Sequence, residues 1–330
     1  MKAIVYHTYG SPDVLQLEEI EKPLPKDDEV LIKVYAASVN SWDWDLVRGK
    51  PYVYRLLFGL LKPKYKIIGS DIAGRVEAVG RNIQQFRPGD EVFGDISGSG
   101  FGAFAEYVCA PENALALKPA CMTFEQAAAI PQAAVLALQG LGHIQPGQKV
   151  LINGAGGGVG TFAIQMAKSF GAEVTGVDST EKLDLMRLLG ADHVIDYTKE
   201  DFIARQVANK GQGYDLILDM VSYRSLFDYK LALSPQGIYV MIGGTIPVIL
   251  QAAFLGSFIS MTGTKKMGLL MHKPNTKDLN LITALFEAGK VLPIIDRCYT
   301  LSEVAEAVRY LGEGHTKGKV VIVLENNHQP

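Results

Sequence analysis

The segment Gly154-Ala155-Gly156-Gly157-Gly158-Val159-Gly160 constrains this 330-residue chain more than any other stretch. It follows an apolar run at 149–152. It precedes Val159, Phe162, Ala163, Met166, Ala167 and Phe170, which recur at helical spacing until Gly171 stops the pattern. A loop without side chains at a helix amino terminus leaves backbone amides free to approach a phosphate. Within it, Ala155-x-Gly157-x-x-Gly160 is a variant of the dinucleotide fingerprint with alanine in the first place. Ala155, Gly156, Gly157, Gly158, Val159 and Gly160 are therefore expected to hold the diphosphate of a dinucleotide.

The rhythm around this loop is that of an α/β sheet. Short strands are expected at 149–152, 173–177, 193–195, 215–218 and 238–242, with helical stretches between them, one at 181–189 stopped by Gly190. Strands repeated at this spacing imply parallel pairing, because each parallel return needs a crossover, and a doubly wound Rossmann domain follows. Up to about residue 120 the chain instead shows short β-type runs at 3–6, 30–36, 72–79, 91–93 and 104–108, broken by turns such as Pro88-Gly89-Asp90, as in a β-rich domain. A tail follows, with helices at 276–288 and 302–311, a strand near 294–299 and a last strand at 319–324. Periodicity leaves open whether it extends the Rossmann sheet or folds back onto the first domain.

Charge and composition narrow the ligand. With 32 basic and 35 acidic residues the net charge is −3, and no long run of one sign offers a surface to nucleic acid. Cys109, Cys121 and Cys298 form no close pair, and the six histidines (His7, His143, His193, His272, His315 and His328) are scattered, so ligand spacing gives no metal cluster. The amino terminus turns polar by His7 and Thr8, too early for a signal peptide, and a cytoplasmic location is expected. The apolar run 246–261 is too short to span a bilayer and contains Gln251 and Gly256; it reads as core or subunit interface.

Asp178 lies about 20 residues past the loop, where a carboxylate would bind adenosine ribose hydroxyls and favour NAD(H). Ser179, Thr180 and Lys182 stand beside it and could donate to the 2′-phosphate of NADP(H). They would equally serve as a helix start, with Ser179 or Thr180 as cap.

Several further segments carry a family likeness. They are Ala37-Ser38-Val39-Asn40-Ser41-Trp42-Asp43, Gly69-Ser70-Asp71-Ile72-Ala73-Gly74-Arg75-Val76, Phe86-Arg87-Pro88-Gly89-Asp90-Glu91-Val92-Phe93-Gly94 and Ala103-Phe104-Ala105-Glu106-Tyr107-Val108. The set continues with Leu189-Gly190-Ala191-Asp192-His193-Val194-Ile195-Asp196-Tyr197 and closes with Gly318-Lys319-Val320-Val321. With the glycine loop, these resemble the medium-chain dehydrogenase/reductase family from Met1 to Leu324, in particular its zinc-free quinone and enone reductases. The resemblance implies a GroES-like catalytic domain built from residues 1–130 and 272–330, a Rossmann domain at 131–271, substrate in the cleft, and a homodimer or homotetramer. It puts Asn40, Ser70 and Gln132 where zinc relatives carry a cysteine, a histidine and a second cysteine. Amides and hydroxyls are poor zinc ligands, so no metal is expected.

The same resemblance nominates Asn40 and Asp43 beside the nicotinamide and Tyr52 as general acid. It assigns Lys182 and Tyr197 to the adenosine end, and counts Gly243 and Lys319 with the cofactor residues. It makes NADP(H) the usual partner, while Asp178 keeps NAD(H) open. Leu136 departs from a threonine common there. Without a metal, the acceptor must take hydride readily, as quinones and α,β-unsaturated carbonyls do, and the apolar runs 52–61 and 246–261 suit a hydrophobic one. Two other readings remain: an enoyl-thioester reductase, and a cofactor-binding protein with a structural, membrane-surface or regulatory role and little turnover.

Overall fold

Two sheets organise the chain, one mostly antiparallel and one wholly parallel. The computed structural model describes residues 1–142, 144–204, 213–244 and 246–324; His143 and His328 lie outside the described residues. The chain forms two units. The first comprises Met1–Gln132, Pro274–Glu287 and the described residues from Pro293 onward; the second comprises Ala133–Lys273 and Ala288–Leu292.

In the first unit, β1 (Lys2–Val5) and β2 (Gln16–Glu19) form a hairpin-like antiparallel pair. The main sheet is nucleated by β3 (Glu29–Val39), whose Val30, Ile32, Val34, Ala37 and Val39 are buried in one apolar core with Leu46, Ile72, Val92 and Phe104. It is flanked by β4 (Asp71–Val79), β5 (Glu91–Asp95), β6 (Tyr107–Pro111) and β7 (Leu115–Leu117). Sequence put a run at 104–108, but ladder pairing with β3 begins only at Tyr107, and Ala105 makes an isolated bridge to Ala3 instead.

The second unit holds β8 (Lys149–Asn153), β9 (Glu173–Asp178), β10 (His193–Asp196), β11 (Tyr214–Asp219), β12 (Leu233–Met241) and β13 (Lys266–Leu269) in the order β10-β9-β8-β11-β12-β13, every pair parallel. Val150, Leu151 and Ile152 of the central strand β8 are fully buried, as a strand covered on both faces requires. Strand order reverses beside β8, the place where doubly wound sheets leave a crevice at the strands' carboxyl ends. The apolar run at 246–261 is the helix Ile246–Thr262; Val248, Ala252 and Ile259 face the core, and Ser260 exchanges hydrogen bonds with the Met267 backbone of β13. Among the described residues no helix is long and apolar enough to cross a membrane.

The tail returns to the first unit. There β14 (Ile295–Thr300) runs parallel to β15 (Lys319–Val323), and β15 pairs antiparallel with β3, Val320 opposite Val39. The tail's helix Val304–Gly312 starts two residues beyond the sequence expectation, after a capping box between Thr300 and Glu303.

Candidate functional site

Two clusters of polar groups stand out, one in each unit. In the second, β8 ends at Asn153, whose Nδ2 donates to Asp219 Oδ1 at 2.8 Å. Asp219 also accepts from the Ser222 amide at 2.8 Å and from the Tyr239 hydroxyl at 2.9 Å, so one buried carboxylate ties together the carboxyl ends of β8, β11 and β12. The chain then turns through Gly154, with φ +85°, and enters the helix Gly158–Ser169 with Gly157 as its amino-terminal cap. The amides of Gly158, Val159 and Gly160 form the helix's first turn and have no intrahelical acceptor.

The glycines differ in what they make room for. A Cβ on Gly160 would sit 2.3 Å from the Gly154 carbonyl oxygen, and one on Gly156 would sit 2.7 Å from Lys182 Cβ; both are packing positions. A Cβ on Gly157 would meet only the Gly154 oxygen, at 3.5 Å. Gly157 therefore borders open space at a positively polarised helix end, which suits a diphosphate. Ala155 is fully buried beneath the loop, and a Cβ on Gly243, just beyond β12, would approach the Met220 carbonyl at 2.8 Å.

Asp178 braces this loop. Its Oδ2 accepts the Gly156 amide at 2.9 Å, its Oδ1 accepts the Ser179 amide at 2.8 Å, and Lys182 Nζ lies 3.4 Å from Oδ1. Sequence expected a helix over 181–189; instead a 3-10 turn, Thr180–Lys182, precedes the helix Leu183–Leu188 and lays the Lys182 stem over Gly156. Ser179 occupies the cap position without a side-chain cap bond, while the Thr180 hydroxyl donates to Asp196. Tyr197 is half-exposed, its ring 6.3 Å from that of Tyr223.

In the first unit, sheet register assembles a buried polar centre. Ser38 on β3 stands opposite Asp71 on β4 and donates to its Oδ2 at 2.9 Å; Val39 stands opposite Val320, next to Lys319 on β15. Asn40 follows Val39 directly and is clamped from both sides. Its Nδ2 donates to Asp71 Oδ2 at 2.9 Å, and its Oδ1 accepts from the Lys319 ammonium. Lys319 Nζ also lies 3.3 Å from the Val39 oxygen and 3.5 Å from Asp71 Oδ2. Asp43, in the helix Ser41–Arg48, accepts the Asn40 amide at 2.8 Å and the Gly69 amide at 2.9 Å, stapling two backbone turns together.

Asn40, Ser70 and Gln132, the three positions that the family resemblance sets against zinc ligands, gather around Asp71. Asn40 donates to it, Ser70 precedes it with its hydroxyl 3.5 Å from Asn40 Nδ2, and the Gln132 amide donates to its Oδ1 at 3.1 Å. The Gln132 side-chain Nε2 is buried with no partner among the described residues. Neutral amides, a hydroxyl and an ammonium form a set of hydrogen-bond donors suited to a developing oxyanion. They do not form a zinc donor set, which calls for thiolate or imidazole. Among the described residues no three acidic, cysteine or histidine side chains gather as metal ligands would.

Burial dominates the electrostatics of this centre. It pushes the Asp43 carboxyl up to about 7, the two backbone amides restraining the rise. It also raises Asp71, against the pull of Lys319, and lowers Lys319, against the pull of Asp71 and Asp43. Lys319, expected with the cofactor, is thus placed with Asn40, its ammonium enclosed. Tyr52 is not drawn into the cluster: it is 66% exposed, and its ring neighbours are Lys50 and Arg55. Leu136 lies half-buried in the helix Pro131–Leu141. From the sequence alone Asp71 takes no role and the orphan amide of Gln132 stays unseen; a carboxylate directly before the apolar run Ile72-Ala73-Gly74 is the available signal.

Comparison with known proteins places this architecture. Residues 26–120 match the family described as alcohol dehydrogenase GroES-like domain, and residues 189–322 match that described as zinc-binding dehydrogenase. The chain is 36% identical over 335 residues to the 2-methylene-furan-3-one reductase of Solanum lycopersicum, covering 98% of this chain and 79% of the relative. It is 35% identical over 337 residues to the NADPH-dependent alkenal/one oxidoreductase of Arabidopsis thaliana, with the same coverage. The solved quinone oxidoreductase of Coxiella burnetii superposes with a TM-score of 0.87 at 29% identity, covering 98% of this chain and 99% of that one. The chain belongs to the medium-chain dehydrogenase/reductase superfamily, in its quinone oxidoreductase-like branch.

Proposed function

We propose that the protein is a zinc-independent, NADPH-dependent reductase of quinones or α,β-unsaturated carbonyl compounds, working as a homodimer. The observation that carries this reading is the open face of Gly157 at the first turn of the helix Gly158–Ser169, with Gly156 and Gly160 packed beneath it. The residues fit the nucleotide: the amides of Gly158, Val159 and Gly160 would hold its diphosphate, and Ser179, Thr180, Lys182 and Tyr197 would meet the adenosine end. NADPH is preferred over NADH because the Asp178 charge is compensated by Lys182 at 3.4 Å, which weakens its repulsion of a 2′-phosphate. The tomato and Arabidopsis relatives, a 2-methylene-furan-3-one reductase and an NADPH-dependent alkenal/one oxidoreductase, support the same class.

With its diphosphate held at this loop, the dinucleotide would supply the hydride from its nicotinamide ring. The protein's own part is to bind and polarise the acceptor. Asp71 and Lys319 hold the Asn40 amide in one orientation, and Asp43 fixes the turn that carries it. Gln132 Nε2 and the Ser70 hydroxyl are the further donors for the carbonyl oxygen on which charge collects. Tyr52 is the proposed proton donor, with water its competitor; Tyr52→Phe decides, a fall in kcat of about tenfold or more supporting the phenol. Zinc has no part, because the Lys319 ammonium already contacts the Asn40 oxygen. Dimerisation is supported by the outer edge of β13, which ends its sheet, and by Leu250, Phe254, Phe258 and Met261 exposed on the helix Ile246–Thr262.

The test is to titrate NADPH and NADH separately while following their oxidation by a simple quinone and a simple enone. NADPH should be oxidised with both acceptors and bind more tightly than NADH. Tight NADPH binding without oxidation by any acceptor would favour a non-catalytic cofactor-binding role.

A further inference from the structure

Between the two halves of the polar centre lies a segment of which the reductase reading uses Tyr52 as proton donor but leaves the outward Leu56, Leu57, Leu60 and Leu61 without a role. From residue 46 to residue 70 the chain has no aspartate or glutamate, although it has 35 in all, and it carries Arg48, Lys50, Arg55, Lys62, Lys64 and Lys66. The same stretch holds the helix Val53–Phe58 and the turn after it. Leu56, Leu57, Leu60 and Leu61 are each between 63 and 86% exposed, and Tyr52 and Val53 lie exposed beside them. Scattered exposed leucines are ordinary, but four on one helix-turn, ringed by cations, are not.

This surface is held in place from below. Tyr54 and Phe58 turn inward, stacking with and edge-on to Trp42, and Phe58 packs in turn on Tyr65 and Phe101. The turn is closed by the Lys64 amide donating to the Phe58 oxygen at 2.7 Å, and the Tyr9 hydroxyl donates to the Gly59 oxygen at 2.6 Å. Gly59 has φ +116°, and a Cβ there would collide with the Lys62 carbonyl, so the turn is specified by the chain. With its aromatic side committed to the core, the segment directs its leucines to solvent by construction.

The cations flank this apolar tip. Lys50, Lys62, Lys64 and Lys66 are exposed, and none has an ion pair among the described residues. On a chain of net charge −3 this is a local concentration of positive charge around an apolar projection. That combination matches the boundary of an anionic bilayer, where apolar side chains enter the acyl region and ammonium groups meet lipid phosphates and carboxylates. A neutral apolar partner would leave the four lysines unmatched, and an acidic soluble partner would leave the leucines in water.

We propose that the Lys50–Lys66 segment docks the protein reversibly on the surface of an anionic phospholipid bilayer, with Leu56, Leu57, Leu60 and Leu61 entering the headgroup boundary. The docking does not depend on the reductase reading and can be tested apart from it.

The experiment is co-sedimentation of the full chain with vesicles of phosphatidylcholine containing about 30% phosphatidylserine, against vesicles of phosphatidylcholine alone, at low and high salt. The protein should partition onto the anionic vesicles at least about tenfold more strongly, and high salt should weaken this. K62Q/K64Q/K66Q should reduce anionic-vesicle binding on the order of 100-fold, and L60S/L61S about tenfold or more, with thermal unfolding of both variants close to that of the parent. No sedimentation with anionic vesicles, or binding indifferent to both variants, overturns the proposal. A parent dimer that L60S/L61S turns into a monomer overturns it as well, since a second copy would then occupy the patch.

Discussion

Lys319 and Asp71 face each other at 3.5 Å, nitrogen to oxygen, with the lysine side chain 3% exposed and the aspartate 0%. Two charges at that depth are tolerable only as partners, and removing one strands the other. Lys319→Met should therefore destabilise the fold by about 3–5 kcal/mol, read as a shift in urea unfolding. Adding Asp71→Asn should recover part of the loss, because both charges are then gone and an amide can still accept from Ser38 and Asn40. Strictly additive losses in the two single variants and the double would mean the pair is not coupled.

Asp178 sets a different balance, between bracing the loop and facing a nucleotide. Its carboxylate accepts the Gly156 amide and pairs with Lys182. Asp178→Asn keeps an acceptor for that amide and removes the negative charge that would repel a 2′-phosphate beside the Lys182 ammonium. The ratio of NADH to NADPH dissociation constants should rise on the order of tenfold, equivalent to about 1.4 kcal/mol. Fluorescence titration of each nucleotide measures it, and an unchanged ratio would show that this carboxylate does not face the adenosine ribose.

What the sequence disclosed and what it hid follow from the range of the interactions. The glycine loop, the parallel strands and the helix after the loop rest on local signals, periodicity and residues lacking side chains, and they appear in the structure where those signals put them. The strand β13, Lys-Met-Gly-Leu, has neither length nor alternation, and it exists because β12 offers an edge and the helix Ile246–Thr262 covers it. The polar centre was legible only in part. Asn40 and Asp43 are three residues apart and announce a turn, but Lys319 reaches Asn40 across 279 positions through the pairing of β15 with β3. No spacing rule encodes that register, and the tail's strands fit either sheet until the pairing is seen.

The loop glycines offer a test in which stability and binding separate. Gly157 has φ −87°, which any residue adopts, and a Cβ there meets nothing closer than 3.5 Å. Gly157→Ala should leave the melting temperature within about 2 °C yet weaken NADPH by tenfold or more, since the methyl would project into the space assigned to the diphosphate. Gly160→Ala forces a Cβ to 2.3 Å from the Gly154 oxygen and should lower stability by about 1–3 kcal/mol as well. Equal nucleotide affinity in Gly157→Ala and the parent would place the diphosphate elsewhere.

Asp43 gives the centre a pH dependence of defined sign. Its folded value, about 7, lies above the ordinary 3.8, because burial penalises the charged form more than the Asn40 and Gly69 amides support it. The native state therefore holds a proton that the unfolded chain releases between about pH 4 and 7. Stability from this group is fully present below about pH 4 and is lost as pH rises through 7, by linkage of proton binding to unfolding. Asp71 is shifted in the same direction and contributes to the same slope. Asp43→Asn removes one of the two and keeps an acceptor for one backbone amide. Urea unfolding across pH 4.5 to 7.5 should show a shallower fall in the variant than in the parent. An identical slope would mean that Asp43 is ionised throughout, held by its two amides against the cost of burial.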